Sequence, residues 1–392
     1  MTVIGRGHGA RLAISWLTMF LVGTELFVVS PLLPLISADF QTSPTLAGLS
    51  VAIFALTYMI SAPLLGRLAD RIGRRRVLSW CLCAFAAANL LTAAADNLPC
   101  LLAARLLAGA VAAGVSPSVY ALVAGIAPLD RRATWLAVVV SGLLVSLAIG
   151  APLGGIAGAA VGWPSVFLVL AAASLVLASL NAQIWPRDST GTNVSAPAEV
   201  MSILAFAPRL GPMVAWSTAL YGMYTYLGVG LASSGHSAGQ IAEVIAAYGC
   251  GAIVGVLIGG RASDMLGAQS ATGLSLAGLG ASFLLLRFAL DGGLMIDFAF
   301  AVLSAVAQTF FPAQQSGLAN DFPERRATVL AWNSSALFFG ISLGSLIGGQ
   351  VVAIGGFATN LTISALITAG GWAVHRVLIS KGSLTHLATL GG

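Results

Sequence analysis

The sequence predicts an all-α membrane protein whose twelve transmembrane helices form two pseudo-symmetric halves of six. Three observations predict it. The 392 residues are 58% hydrophobic and only 8% charged. Soluble domains carry about 25% charged residues, so lipid must be the main solvent. Apolar runs of about 20 residues, the length of a spanning helix, recur between short polar breaks. Finally, landmarks of the first half recur in the second at one constant offset, as in a duplicated chain.

In order, the apolar runs cover approximately 12–36, 46–68, 77–95, 99–124, 133–158 and 164–185, then 209–231, 239–261, 269–289, 295–319, 328–353 and 357–379. The first follows Arg6 and Arg11, as a signal peptide would, but it extends to Ile36. That is too long for a signal segment, and the run is expected to stay as a span. Proline and glycine are frequent inside the runs, which membranes tolerate because neighbouring helices re-satisfy the freed backbone groups. Residues 186–208 contain Pro, Ser and Thr and form the longest polar stretch. They read as a cytoplasmic linker between an N-terminal half, 1–185, and a C-terminal half, 209–392. Asn193-Val194-Ser195 matches a glycosylation sequon, but a cytoplasmic loop does not meet the machinery that reads it.

Charge placement sets the topology. With the N-terminus inside, 16 of the 18 basic residues fall on the cytoplasmic side, the exceptions being Arg105 and Arg287. Outer loops carry Asp39, Asp96, Asp291 and His236. Such asymmetry follows the positive-inside rule and puts both termini in the cytoplasm. The net charge of +5 sits in short turns between apolar runs, an arrangement that fits membrane topology and not nucleic-acid binding. Cys81, Cys83, Cys100 and Cys250 lie in or beside apolar segments without ligand-like partners, so no metal site or disulfide framework is expected.

The densest charge is the turn Gly66-Arg67-Leu68-Ala69-Asp70-Arg71-Ile72-Gly73-Arg74-Arg75-Arg76. A weaker copy, Gly260-Arg261-Ala262-Ser263-Asp264, starts 260 − 66 = 194 residues later. Arg131-Arg132-Ala133-Thr134 recurs as Arg325-Arg326-Ala327-Thr328, Gly154-Gly155 as Gly348-Gly349, and Gly162-Trp163 as Gly356-Phe357, all shifted by 194. Parallel six-span repeats related by an axis along the membrane normal are a known transporter plan.

These residues resemble the major facilitator superfamily. The basic turn is similar to that family's signature G-x-L-A-D-R-x-G-R-R-x-x-x-L, matched from Gly66 through Arg76 with Leu78 close to the closing leucine. Arg105-Leu106-Leu107-Ala108-Gly109 resembles R-x-x-Q-G, with Ala108 in place of the glutamine. Gly150-Ala151-Pro152-Leu153-Gly154-Gly155 resembles the antiporter motif G-P-x-x-G-G, with Ala151 in place of a glycine. Gly23-Thr24-Glu25-Leu26-Phe27-Val28-Val29, with Pro31 and Pro34, is similar to the opening span of the twelve-span drug/proton antiporter and sugar-efflux subgroup.

Glu25 is the one acid near the middle of a span. An ionised carboxylate in hydrocarbon must face a cavity, pair with a cation or hold its proton. Desolvation favours the neutral acid and a nearby arginine favours the carboxylate, so such a site can load and release a proton. Glu25 is therefore the candidate proton-coupling residue, against a structural ion pair or an interfacial glutamate. Arg105 is the lone buried cation, shallower than Glu25, which leaves direct contact open. The resemblance implies that it assists proton coupling, and the alternative is a clamp on backbone carbonyls. Glu243 lies near an outer span end and reads as interfacial.

Gly150, Pro152, Gly154 and Gly155 permit close helix approach and a bend. The resemblance gives them a conformational role, against ordinary close packing. It likewise gives a gating role to Gly66, Asp70, Arg71, Gly73 and Arg74, with Asp70 set against a facing helix N-terminus. Their positive charge already anchors the loop to the cytoplasmic face. A midplane substrate site between the halves would draw on Tyr221 and Tyr224, on Gln308, Phe311 and Gln315 at helical spacing, and on Trp332 and Asn333. Aromatics with amides suit an amphipathic ligand, although each residue could equally serve packing. The offset maps Glu25 onto Ala219, which confines proton handling to the first half.

The resulting expectation is a proton-coupled antiporter of the inner or plasma membrane, a monomer without cofactor or metal. It would export drugs, metabolites or sugars, including in multidrug resistance, by alternating access, with small molecules, protons and the bilayer as its partners. The rivals are an uptake symporter of the same fold and a membrane sensor or enzyme. The last would need a catalytic dyad, metal cluster or soluble domain, and His8, His236, His375 and His386 all fall near ends or loops.

Overall fold

The computed structural model describes residues 6–128, 131–186, 207–290 and 295–390, and every regular element among them is helical. The expected linker over 186–208, apart from its outermost residues, lies outside the described residues, as do the sequon at Asn193 and Asp291.

Twelve helical rods follow in chain order. They begin with α1 (Arg6–Asp39), α2 (Pro44–Ile72), α3 (Arg74–Ala93) and α4 (Leu98–Ile126). The rod α5 joins Arg132–Val145, a π-helical turn Ser146–Gly150 and Ala151–Val161, and α6 is Trp163–Ile184. Then α7 joins Ala207–Thr225 and Leu227–Ser233, followed by α8 (Ala238–Leu266) and α9 (Ala268–Ala289). The rod α10 joins Met295–Gln308 and Phe310–Asp321. A last helical run, Arg326–Leu390, is broken at Gly356 (φ 74°, ψ 179°) into α11 over 326–355 and α12 over 357–390.

The twelve apolar runs of the sequence coincide with these rods to within two residues at any overhang. Among the described residues, ten helical stretches are long and apolar enough to cross a membrane, and one of them, Thr328–Leu378, contains both α11 and α12. The exception is α7, interrupted at Tyr226 and carrying Ser217, Thr218, Tyr221, Tyr224 and Thr225.

Local chemistry sets the ends. The Ser43 hydroxyl accepts from the Leu46 amide at 3.3 Å, ahead of Pro44 at the first helical position. Asn97 caps α4 in the same way, accepting from the Cys100 amide at 2.9 Å. Gly73, at φ 103°, stops α2 and lets α3 start at once, a backbone conformation that favours glycine.

The duplication is written into the backbone. Positive φ occurs among the described residues at Gln41, Gly73 and Gly162, and again at Gly235, Gly267 and Gly356. Each pair is 194 residues apart: 235 − 41, 267 − 73 and 356 − 162. Even the helix cap repeats, since the Ser237 hydroxyl accepts from the Gln240 amide at 3.4 Å, as Ser43 does from Leu46.

The chain forms two compact units. One comprises Met1–Ser195 with Leu227–Gly249, the other Ala196–Tyr226 with Cys250–Gly392. In the first, α2 packs on α4, α3 on α4 and α6, and α1 on α5 and α6. In the second, α7 lies along the α11–α12 run, which also covers α9. On α2, Leu56, Ile60, Leu64 and Leu68 form an exposed apolar stripe at helical spacing, a surface made for lipid. Phe54 and Tyr58, turned away from that stripe, are buried.

Small residues bring α1 and α5 together. A Cβ added at Gly23 would strike the Ser146 hydroxyl, and one at Gly150 would strike Thr24. The second unit repeats these crossings between α7 and α11 with the first pair exchanged: Gly340 faces Ser217, and Gly344 faces Thr218. From one copy to the other, then, glycine and serine have traded helices while the backbone spacing stays short.

Candidate functional site

Glu25 sits midway along α1 with no exposed surface, and Arg105 on α4 is 1% exposed. The Arg105 Nη1 donates to Glu25 Oε1, which closes an ion pair in the core of the first unit. The guanidinium carbon also lies 4.6 Å from the centre of the Phe54 ring, a cation–π contact from α2. Glu25 Oε2 and Arg105 Nε have no hydrogen-bond partner. The pair is thus matched in charge but not fully satisfied, and a lone charge left there would be costly.

The glycines of α5 hold α1 in place. Gly150 faces Thr24, Gly154 faces Val28, and an added Cβ at Gly155 would come within 2.9 Å of Pro31. Gly150 and Gly154 map by offset onto Gly344 and Gly348 of α11, which face Thr218 and Gly222. Within the first unit these α5 residues therefore make a seat for the helix that carries Glu25. Between Pro152 and the glycine pair stands one residue, Leu153, where G-P-x-x-G-G has two. Pro152 lacks an amide proton and lies two residues past the end of the π-helical turn, where the Ala151 amide reaches back to the Ser146 carbonyl.

In the basic turn, Arg74 Nη2 meets Asp70 Oδ1 at 3.2 Å with both side chains about half exposed (46% and 59%), a weak interaction in water. Arg71 is exposed, and a Cβ at Gly66 would meet nothing. Two arginines outside the gating candidates anchor the unit. Arg75 Nε donates to the Ala182 carbonyl at 2.9 Å, and Arg11 Nε to the Ile184 carbonyl at 3.1 Å. Both satisfy carbonyls at the C-terminal end of α6 that have no helical partner.

The substrate candidates all lie in the second unit. The Tyr221 and Tyr224 rings meet edge to face at 6.5 Å. Phe311 lies 6.4 Å from Trp216, whose indole N–H donates to the Ala307 carbonyl at 2.8 Å. Gln308, Gln315 and Trp332 are half-buried, and Asn333 is buried with its side-chain oxygen unpartnered. No hydrogen bond or ring contact among the described residues gathers these last four with Phe311 or the tyrosine pair. Their polar atoms are uncommitted within the unit.

Two groupings were not singled out by sequence. In the first unit, Tyr58 is hydrogen-bonded with Ser116, and Tyr120 lies within electrostatic range of Tyr58. Arg105, Ser116 and Tyr120 share one face of α4, a spacing visible in the sequence once Arg105 is taken as the origin. In the second unit, Arg209 pairs with Asp321 at 3.5 Å, Gln269 Nε2 donates to Asp321 at 3.1 Å, and His375 Nε2 donates to the Gln269 carbonyl at 2.8 Å. His375 stands near a span end, as its position implied, yet it is only 3% exposed. Those residues are far apart in sequence and carry no motif.

Helices of this number, length and apolarity are those of a multi-pass membrane protein. A family model described as Major Facilitator Superfamily matches residues 15–233, more than half of the chain. The chain belongs to the Major Facilitator Superfamily, a family of transporters and not of enzymes. It is 28% identical over 346 residues to the "Uncharacterized MFS-type transporter YceJ" of Bacillus subtilis (strain 168), covering 86% of this chain and 88% of that one. It is 30% identical over 257 residues to a "Chloramphenicol resistance protein" of Streptomyces lividans, covering 63% and 65% of the two chains. Among solved structures, a bacterial homolog to the human lysosomal transporter Spinster shares the fold, with a TM-score of 0.76, 18% identity and coverage of 96% and 97%.

Proposed function

We propose that this transporter is a proton-coupled antiporter that exports small molecules by alternating access from the cytoplasmic membrane, both termini facing the cytoplasm. The observation that carries the reading is the Glu25–Arg105 pair, buried at central depth and incompletely satisfied. A proton on Glu25 cancels its charge and frees Arg105 from its partner, so the two protonation states differ in charge and in contacts. Only such a difference lets a proton bias one conformation over another. The second half offers no equivalent, since the offset maps Glu25 onto Ala219 and Arg105 onto Ala299.

In this cycle an outside proton loads Glu25, the halves reorient, and release inside restores the pair and the substrate-binding state. The basic turn and the α5 glycines would move with that reorientation, and Tyr221, Tyr224, Gln308, Phe311, Gln315, Trp332 and Asn333 would contribute to the substrate site from the second half. The resistance named for the Streptomyces lividans relative is what export of a toxic small molecule produces. Glu25→Gln is expected to abolish proton-driven accumulation in everted membrane vesicles while leaving the protein in the membrane. Accumulation that still follows the imposed proton gradient in this variant would refute the assignment.

A further inference from the structure

The charge balance of the first unit bears on what is carried. The described acids are Asp39, Asp70, Asp96, Glu243, Asp264, Asp297, Asp321, Glu324 and Glu25. All but Glu25 lie at helix ends, in end turns or in loops, or are exposed. Glu25, the one acid at central depth, is already matched by Arg105. A lipophilic cation entering beside the pair would therefore find no free counter-charge, and desolvating an unmatched charge is costly. Protonation of Glu25 makes the surroundings more positive and more hostile to a cation. An anion is no better suited to exchange. It would bind best when Glu25 is protonated, the state in which an antiporter must let its substrate go.

Beside the pair lies a patch that is polar without being charged. Arg105 rests on Phe54, the Phe54 and Tyr58 rings are 6.5 Å apart, and Tyr58 is hydrogen-bonded with Ser116. Tyr120 follows one turn later on α4, half-buried. From Arg105 to Ser116 is three turns of one helix face, about 16 Å along the axis. This run offers aromatic faces together with phenol and hydroxyl groups that donate and accept hydrogen bonds.

We propose that the transported molecule is an uncharged amphiphile, a flat apolar body bearing hydroxyl or amide groups, recognised through Tyr58 and Tyr120 beside the neutral Glu25–Arg105 pair. This rests on the antiport reading and names the substrate class that such an antiporter would carry. Both phenols act as positioning donors and acceptors, and Phe54 supports the apolar body.

The test uses the full chain in proteoliposomes under an imposed proton gradient with the membrane potential clamped. Chloramphenicol serves as the neutral probe and tetraphenylphosphonium as the cation. The gradient is expected to drive chloramphenicol and not tetraphenylphosphonium. Tyr58→Phe and Tyr120→Phe are each expected to raise the half-saturating chloramphenicol concentration about two- to tenfold, the loss of one hydrogen bond. Arg105→Gln, which leaves Glu25 without its partner, is expected to raise tetraphenylphosphonium binding about tenfold or more. Gradient-driven tetraphenylphosphonium transport by the wild type overturns the neutral class and leaves antiport standing. Chloramphenicol transport that is indifferent to the proton gradient overturns antiport and leaves the neutral class standing. Failure to move either probe, or tyrosine variants identical to wild type, overturns the proposed recognition.

Discussion

Glu25 and Arg105 show how one contact ties stability to transport. Each is buried, each is the other's charge partner, and each keeps one polar atom unsatisfied. Removing one member of a buried ion pair costs about 3–5 kcal/mol because the other charge remains, whereas replacing both with neutral groups is far milder. Arg105→Ala is therefore expected to lower the unfolding midpoint of the detergent-solubilised protein markedly, and Glu25→Gln/Arg105→Gln together to recover most of the loss. If the double variant is as unstable as Arg105→Ala, the pair is not the charge-balancing unit described above. The sequence marked both residues as lone ionisable groups inside spans. It could not show that they meet, since depth along a helix says nothing about which way a side chain points. The same limit hid Tyr58 and Ser116, whose facing positions on α2 and α4 depend on how those helices pack.

The elements were the most legible level. Long apolar runs, glycine stops and serine or asparagine caps are local signals, and each expected span coincides with a rod. What the pattern missed are the interruptions: the π-helical turn at Ser146–Gly150, the break at Tyr226 and that at Thr309. Hydrophobic runs continue through such breaks, so periodicity does not register them. The α1–α5 crossing gives a sharp packing test. Gly23→Ser places a hydroxyl against that of Ser146 and is expected to destabilise by about 1–3 kcal/mol, as overpacking does. Adding Ser146→Gly, which reproduces the arrangement of Ser217 and Gly340, should restore most of that loss. Thermal unfolding of the single and double variants decides it, and a harmless Gly23→Ser means the helices are not held at that distance.

At the scale of the whole molecule, two copies of one plan carry different chemistry. The 194-residue offset fixes the three pairs of positive-φ positions, the serine caps and the small-residue crossings in both copies. The buried ion pair occurs in one copy, with alanines at both equivalent positions of the other, and the His375–Gln269–Asp321–Arg209 network belongs to the second copy. Duplication was legible because identical spacings recur along the sequence. The polar network was not, because its members come from four separate rods and only packing unites them.

The central claim is that Glu25, inside its pair with Arg105, takes up and gives off a proton. Infrared titration of the purified protein, comparing wild type with Glu25→Gln, isolates that one carboxyl from all others. A protonated-carboxyl band that grows in the wild type on acidification and is missing from the variant is the predicted result. Identical carboxyl bands in the two proteins across the pH range of transport would mean that Glu25 never leaves its ionised state, and would contradict the account.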